Sequence, residues 1–512
     1  MAVEHKNIAI SKKLVAINSL SSVAAKIVNF LVLMWVYQYL LARLPAAEFA
    51  VLPVVTSLMV FAPLFFSFFS GGISRYILDA YAKGDFTEVR RIVSSLFPTL
   101  LLASAVFVPA GLIFAANIEK VFNIIPEMVW DARLMLTLLV TSFAAQMVII
   151  PFSTAYLVRQ RYVELKSLEI ARDLLRAALV VVLLLMIDAS VLWVVVSTFV
   201  SEVVFTTVVL LRSFKLVPEL RVQRGLFSPA KARELISFGM WTTVGRLGAI
   251  MYTNAATLLL NLYGTPIGVT SYHIGATIFS QMQSTVSLAA SPLQPAITAM
   301  NALQDSQRLA STVLRGGRYA LWASMAIATP LSIYADIFIN LYLGSKYAEA
   351  SMVIILFMII FPFSHATVLL PITSTAMAKV REFCLPAFLF QLAGLFLMLI
   401  FLKVFGFGAI GVAAALTLIT IFAQLTYFWS FCLKLIDVPF GQFARSVLVR
   451  GLMPAACGAV VWAGLRLIRV PEGWVELFSY SFAGGAVYLI ILYSWGLDQK
   501  ERQQLGKILR RS

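Results

Sequence analysis

Apolar runs of about twenty residues, separated by short polar breaks, recur along almost the whole chain. Each is long enough to cross a hydrocarbon core about 30 Å thick as a helix. Windows of this length predict about fourteen spans, centred near residues 27, 63, 102, 145, 176, 202, 249, 282, 323, 362, 393, 421, 456 and 485. Every second break is basic: "SKK", "AKGDFTEVRR", "RQRYVELK", the 212–233 segment, "DSQRLASTVLRGGR", "AKVRE", the 434–445 loop and the tail "KERQQLGKILRR". Because Lys and Arg collect on the cytoplasmic side of a membrane, this alternation places both termini and all of these loops inside the cell. The opposite connections are short, roughly 3 to 16 residues, which leaves no room for an outer domain.

Composition agrees. The chain has 512 residues, 61% hydrophobic and 12% charged, where a soluble domain carries about 25% charged residues. An all-α integral membrane protein is therefore expected from end to end. The net charge of +16 lies in the loops, where it orients the protein, so a nucleic-acid partner is not implied. Cys384, Cys432 and Cys457 sit in apolar runs without metal-ligand spacing, and no metal or cofactor is expected. The amino terminus, "MAVEHKNIAISKK", lacks a cleavable signal pattern.

An internal repeat is also legible. An offset of 220 residues pairs Lys26 with Arg246 and Asp85 with Asp305, one pair inside the first span of each half and one in the loop after the second span. The expected organisation is a six-helix lobe over 1–213, a cytoplasmic linker over 214–232, a second six-helix lobe over 233–436, and two further helices with a basic tail over 437–512.

Polar residues within the spans are not scattered. Asn18, Ser22, Lys26 and Asn29 are spaced four, four and three apart, which aligns them on one helical face. Lys26 falls roughly 18 Å into its helix, where a lysine costs roughly 2.5 to 3.5 kcal/mol. The seventh span repeats the pattern with Thr242, Arg246, Thr253 and Thr257, and the eighth with His273, Thr277, Gln281 and Ser284. Three polar stripes, two with a cation at mid-depth, are expected to wall a water-filled central cavity between two helical bundles. The alternative is that each cation snorkels or meets a buried carboxylate, yet neither helix supplies an acid within four residues of it. Arg75, after Gly71 and Gly72 at the end of the second span, serves either as a third cavity cation or as an ordinary inside-positive anchor.

On the fifth span, Glu169 precedes Arg172 by three and Asp173 precedes Arg176 by three, so these charges are expected to neutralise one another. Glu202, on the sixth span, is expected at the depth of Arg176 and to pair with it. Asp173 or Glu202 could instead bind a coupling proton or sodium ion. His365, between Pro362 and Pro371, is a further coupling candidate on a helix those prolines should break. Nowhere does the sequence hold a nucleotide-binding loop, a His-rich metal cluster or a nucleophile beside a base. ATP hydrolysis is not expected, and the chain reads as a secondary transporter and not an enzyme.

The polar first helix, the short outer turn "ARLPAAEFAVL", the stretch "GGISRYILDAYAKGDFTEVRR" and its later echo "LLNLYGTPIGVTSYHIGA" resemble the polysaccharide (Wzx-type) flippases of the MOP superfamily. This group includes exporters of lipid-linked O-antigen and exopolysaccharide repeat units, a lipid II flippase branch and, more distantly, MATE drug antiporters. The resemblance covers the whole chain through its fourteen-span layout. It implies a V-shaped cavity between two six-helix lobes, with a cationic interior suited to an undecaprenyl-diphosphate head group. The cavity cations would fall on Lys26, Arg75 and Arg246, with Asn18, Ser22, Asn29, Thr242, His273 and Gln281 lining it. The implied partners are a lipid-linked oligosaccharide, membrane lipids, a polysaccharide polymerase and a chain-length regulator, in a bacterial inner membrane. This sequence departs from the pattern in having a lysine on the first helix and His273 as the only ionisable residue in the core of the eighth. Two other readings stand beside it: a drug or organic-cation antiporter on the same fold, which wants acids in the cavity, and a polytopic polymerase or ligase, which wants a large outer loop.

Overall fold

A computed structural model of the protein describes residues 30–59, 76–77, 80–81, 84–159, 161–235, 254–290, 293, 297, 300–301, 303–377, 379–498 and 501–503. Among the described residues there are helices and turns and no strand. The chain divides into two compact units, Met1–Met251 and Tyr252–Ser512.

The first unit contains α1 (Phe30–Leu41), α2 (Ala46–Leu58), α3 (Phe86–Ala116), α4 (Val129–Val158), α5 (Tyr162–Met186) and α6 (Leu192–Leu216). The second contains α7 (254–263), α8 (Pro266–Ala290), α9 (Ser306–Ile333), α10 (Ala335–Leu343), α11 (Glu349–Ser364), α12 (Leu370–Ala376), α13 (Val380–Lys403), α14 (Gly408–Ala423), α15 (Trp429–Ile436), α16 (Arg450–Ile468) and α17 (Trp474–Ile491). Among the described residues, eight helices are long and apolar enough to cross a membrane, or nine if α9 and α10, bent by 74°, form one span. These nine coincide with nine of the expected centres. The centres near 27, 63 and 249 lie largely outside the described residues. Those near 176 and 282 fall on α5 and α8, which are each 25 residues long but are excluded by charge in α5 and by polarity in α8.

Packing within each unit follows the apolar faces. In the first, Ile92, Val93, Leu96 and Leu100 of α3 join Phe143, Met147 and Ile150 of α4 in one core, with α6 packed on α4 and α5 on α6. In the second, α11 is central, packed by α8, α9 and α14, and α16 lies between α9 and α17. Gly484 of α17 lets Trp462 of α16 lie against its backbone, since a Cβ there would sit 2.2 Å from Trp462 Nε1. The chain after α17 is anchored too. Arg318 of α9 is 3% exposed, with Nη2 2.6 Å from Glu501 Oε1 and 3.4 Å from Asp498 Oδ2.

The 220-residue offset is written into the backbone. Asp85 Oδ1 caps α3 by accepting from Glu88 N at 2.9 Å, and Asp305 Oδ1 caps α9 by accepting from Arg308 N at 3.1 Å. The turn before each cap also repeats bond for bond. Asp85 N donates to Ala80 O and Asp305 N to Met300 O, each at 3.0 Å. Each cap follows a residue in the left-handed region, Gly84 at φ +73° and Gln304 at φ +54°. Glycine adopts that conformation without steric cost, whereas glutamine occupies it under strain.

The segment expected as a linker folds onto the first unit. Val217 and Leu220 are fully buried in its core. Gln223 N and Ser228 N donate to the Ser94 and Ser95 hydroxyls of α3 at 2.9 and 3.0 Å. Lys231 bridges Glu88 and Glu234 at 3.0 and 3.2 Å. Burial alone would lower its pKa, but the two carboxylates outweigh that and raise it.

Candidate functional site

α8 shows most plainly how a spanning helix is made unfit for lipid. At 1.5 Å per residue its 25 residues reach about 37 Å, enough to cross the bilayer. One face is packed: Tyr272 meets Phe357 edge-on, and Phe279 lies against Phe357 and Phe361 of α11. Gly275 brings α8 close to Val353, whose Cγ1 would be 2.6 Å from an added Cβ. The other face carries half-buried His273, Thr277, Gln281 and Ser284, with Ser280, Gln283, Thr285 and Ser287 exposed.

The hydroxyls on that face turn inward to their own helix. Ser280 donates to Thr277 O, Ser284 and Thr285 to Gln281 O, and Ser287 to Gln283 O, at 2.7 to 3.0 Å. The Gln281 and Gln283 amides make no side-chain hydrogen bond among the described residues. Two amide groups with free donors and acceptors, on a face without any charge, suit uncharged hydroxyl-rich matter or water and do not suit lipid tails.

In the first unit the expected charge cluster exists with different pairing. Arg172 Nη2 lies 3.0 Å from Asp173 Oδ1, and its Nη1 lies 3.4 Å from Glu202 Oε2. The same guanidinium stacks over Phe205 at 5.0 Å. Glu202 thus makes its direct ion pair with Arg172, while the expected partner Arg176 acts on it, and on Asp173, at longer range, and Glu169 pairs with Lys166 at 2.5 Å and not with Arg172. The reason is reach. Arg172 binds the carboxylate beside it while extending across to α6, which leaves Glu169 to the lysine on its other side. Depth counted along two helices from opposite ends locates a cross-helix partner only to about one turn, or 5.4 Å.

In the second unit the helix expected to break is interrupted after Ser364 by a tight turn over His365–Thr367, but Glu349–Ala376 remains a single span. Pro362 lies within α11, and Pro371 sits in the first turn of α12. His365 is 2% exposed, lies tilted against Phe361 at 4.6 Å between ring centroids, and leaves Nδ1 without a hydrogen-bond partner among the described residues. Gly317 of α9 admits the turn, since a Cβ there would be 2.2 Å from Ala366 O. Thr367 Oγ1 reaches Gln424 Oε1 at 3.2 Å, where α14 widens into a π turn over Gln424–Phe428. Sequence reasoning missed Gln424. Its one signal is a lone amide in the apolar run "LTLITIFAQLTYF".

Asp173 and Glu202 are therefore brought together on one arginine, His273 and Gln281 share a helix, and His365 lies apart from Asp173 and Glu202 in sequence and unit. Lys26, Arg75, Arg246, Asn18, Ser22, Asn29 and Thr242 lie outside the described residues.

Residues 13–301 match the model of the family described as polysaccharide biosynthesis protein. The chain belongs to the polysaccharide biosynthesis protein family. Among curated proteins none matches this family member by sequence, but solved structures do by fold. The lipid II flippase MurJ, in an inward closed conformation, is 13% identical with a TM-score of 0.71, over 93% of this chain and 97% of that one. An inward-facing multidrug resistance MATE family transporter of the MOP superfamily is 11% identical with a TM-score of 0.64, over 82% and 98%. A MOP superfamily transporter from Pyrococcus furiosus, described by the reverse polarity of its binding pocket, is 11% identical with a TM-score of 0.60, over 82% and 96%. At these identities the likeness is one of fold. This polysaccharide biosynthesis family member is an all-helical, multi-pass membrane protein with the fold of MOP superfamily transporters.

Proposed function

We propose that the protein is a flippase for undecaprenyl-diphosphate-linked oligosaccharide repeat units of an exopolysaccharide or O-antigen. It would carry them from the cytoplasmic to the outer face of the bacterial inner membrane by alternating access. The observation that carries this reading is α8, a helix of spanning length in a polysaccharide biosynthesis family member, whose polar face carries uncharged amides and hydroxyls. Sugars are recognised by such groups.

In this reading two six-helix lobes, 1–213 and 233–436, rock about a central cavity. Lys26, Arg246 and Arg75 hold the diphosphate, His273 and Gln281 face the sugars, and the polyprenyl tail stays in lipid. Both termini are cytoplasmic, and the product is handed to a polymerase and a chain-length regulator. An interior-negative potential supplies about 2.3 kcal/mol per elementary charge per 100 mV. It drives the loaded step outward if the cations neutralise the diphosphate only in part, and returns the empty cationic carrier if they neutralise it fully. Ion coupling, where it operates, falls to Asp173, Glu202 or His365. A cation antiporter on the same fold is the weaker reading, because the polar face of α8 carries no carboxylate.

The test is a double charge reversal, Lys26→Glu with Arg246→Glu, assayed with lipid-linked sugar in reconstituted vesicles. Translocation should be lost while membrane insertion is retained. Unchanged translocation would remove the cationic site.

A further inference from the structure

The first unit carries an open apolar pocket of about 660 Å³ that the transport reading does not use. It is lined by Phe97 of α3, Val148, Ile149 and Phe152 of α4, Leu210 and Phe214 of α6, and Arg221 of the segment that follows α6. The rings pack on one another, Phe97 edge-on to Phe152 at 5.7 Å and Phe152 tilted on Phe214 at 5.1 Å. The rim is fixed in advance: Leu220 is fully buried, and Gln223 N is pinned to Ser94 Oγ at 2.9 Å. Arg221 is consequently held at the mouth by its neighbours.

Basic side chains gather at this mouth. Arg90 lies seven residues before Phe97, hence about two turns or 10.5 Å nearer the aqueous end on the same face of α3. Lys215 is exposed in the last turn of α6 beside Phe214. Arg90, Lys215 and Arg221 make no ion pair or hydrogen bond among the described residues. The nearby acid, Glu219, has its Oε2 buried. α3 begins, and α4 and α6 end, at this same basic side of the unit, which the positive-inside rule assigns to the cytoplasmic leaflet.

A preformed apolar pocket of ordinary ligand size, opening beneath unpaired cations at headgroup level, has the chemistry of an anionic lipid site. We infer that it holds one anionic phospholipid of the cytoplasmic leaflet, with an acyl chain among Phe97, Phe152 and Phe214 and its phosphate on Arg221 and Arg90. The bound lipid staples the 217–228 segment to α3, α4 and α6. The site uses none of the residues assigned to diphosphate binding, and its failure would leave the transport reading untouched.

Native mass spectrometry of the full-length protein in detergent tests it. The probes are phosphatidylglycerol and phosphatidylcholine with the same acyl chains. Wild type should retain phosphatidylglycerol preferentially. Arg221→Gln, at an exposed position, should cut that retention about fivefold, the equivalent of about 1 kcal/mol for one basic side chain near a membrane surface. Val148→Trp and Leu210→Trp, which fill the pocket, should remove it, and unchanged elution and melting will show that the variants are folded. Equal retention by wild type and Arg221→Gln, or retention surviving both tryptophans, overturns the assignment. So does displacement by glycerol phosphate, which has no chain, or by equimolar undecaprenyl phosphate, which would make this a carrier-lipid site.

Discussion

Replacing Asp305 by alanine should loosen the start of α9 more than replacing Asp85 loosens the start of α3, although the two caps share one geometry. Each aspartate accepts one otherwise unpaired helix N–H, at 3.1 and 2.9 Å, and losing such a cap costs about 1 kcal/mol. The difference lies in what remains. The first turn of α3 keeps Glu88, whereas that of α9 has no acid. Asp305→Ala therefore also leaves the positive end of the α9 dipole uncompensated, which adds about 0.5 kcal/mol. The total of about 1.5 kcal/mol corresponds to roughly tenfold faster opening, against about fivefold for Asp85→Ala. Asp305→Asn keeps the hydrogen bond and loses only the charge, so it should accelerate opening about twofold. Hydrogen exchange with mass spectrometry on peptides spanning 84–92 and 304–312 reads these rates directly. Equal effects at the two sites, or an asparagine as damaging as alanine, would refute the separation of cap from charge. No effect at either site would refute the caps themselves.

Three further outcomes follow from the packing and charge. Gly484→Ala should destabilise the α16–α17 pair by about 1–3 kcal/mol through overpacking against Trp462, while Gly485→Ala, which has open space around it, should be neutral; proteolysis between the two helices distinguishes them. Arg172→Leu should lower melting more than Arg172→Leu with Glu202→Leu, because the single change strands a carboxylate that is only 13% exposed; a larger loss in the double variant would contradict the pairing. Glu119 donates no proton to its partner: its carboxylate accepts from Arg133, and that hydrogen bond holds its pKa below the usual range. Its stabilisation is present above the unfolded carboxylate pKa of about 4.3 and is lost as pH falls through the lower folded value. Hydrogen exchange over 117–128 should rise only at acid pH, and Glu119→Gln should remove that rise.

Local periodicity determined much of this protein. It placed nine spans where helices of membrane length occur and marked α8 as polar along one side. These properties depend on residues within a few turns of each other, so spacing alone carries them. What lies across helices was decided by tertiary structure. That the direct ion pair of Glu202 goes to Arg172, with Arg176 at longer range, turns on about one helical turn of axial shift, which no local pattern encodes. The burial of Val217 and Leu220, the widening of α14 at Gln424, and the left-handed Gln304 where its repeat partner is Gly84 likewise come from the neighbours that each segment packs against. Only that packing turned an expected linker into the rim of a pocket, because a loop's backbone donors become fixed when another helix supplies their acceptors.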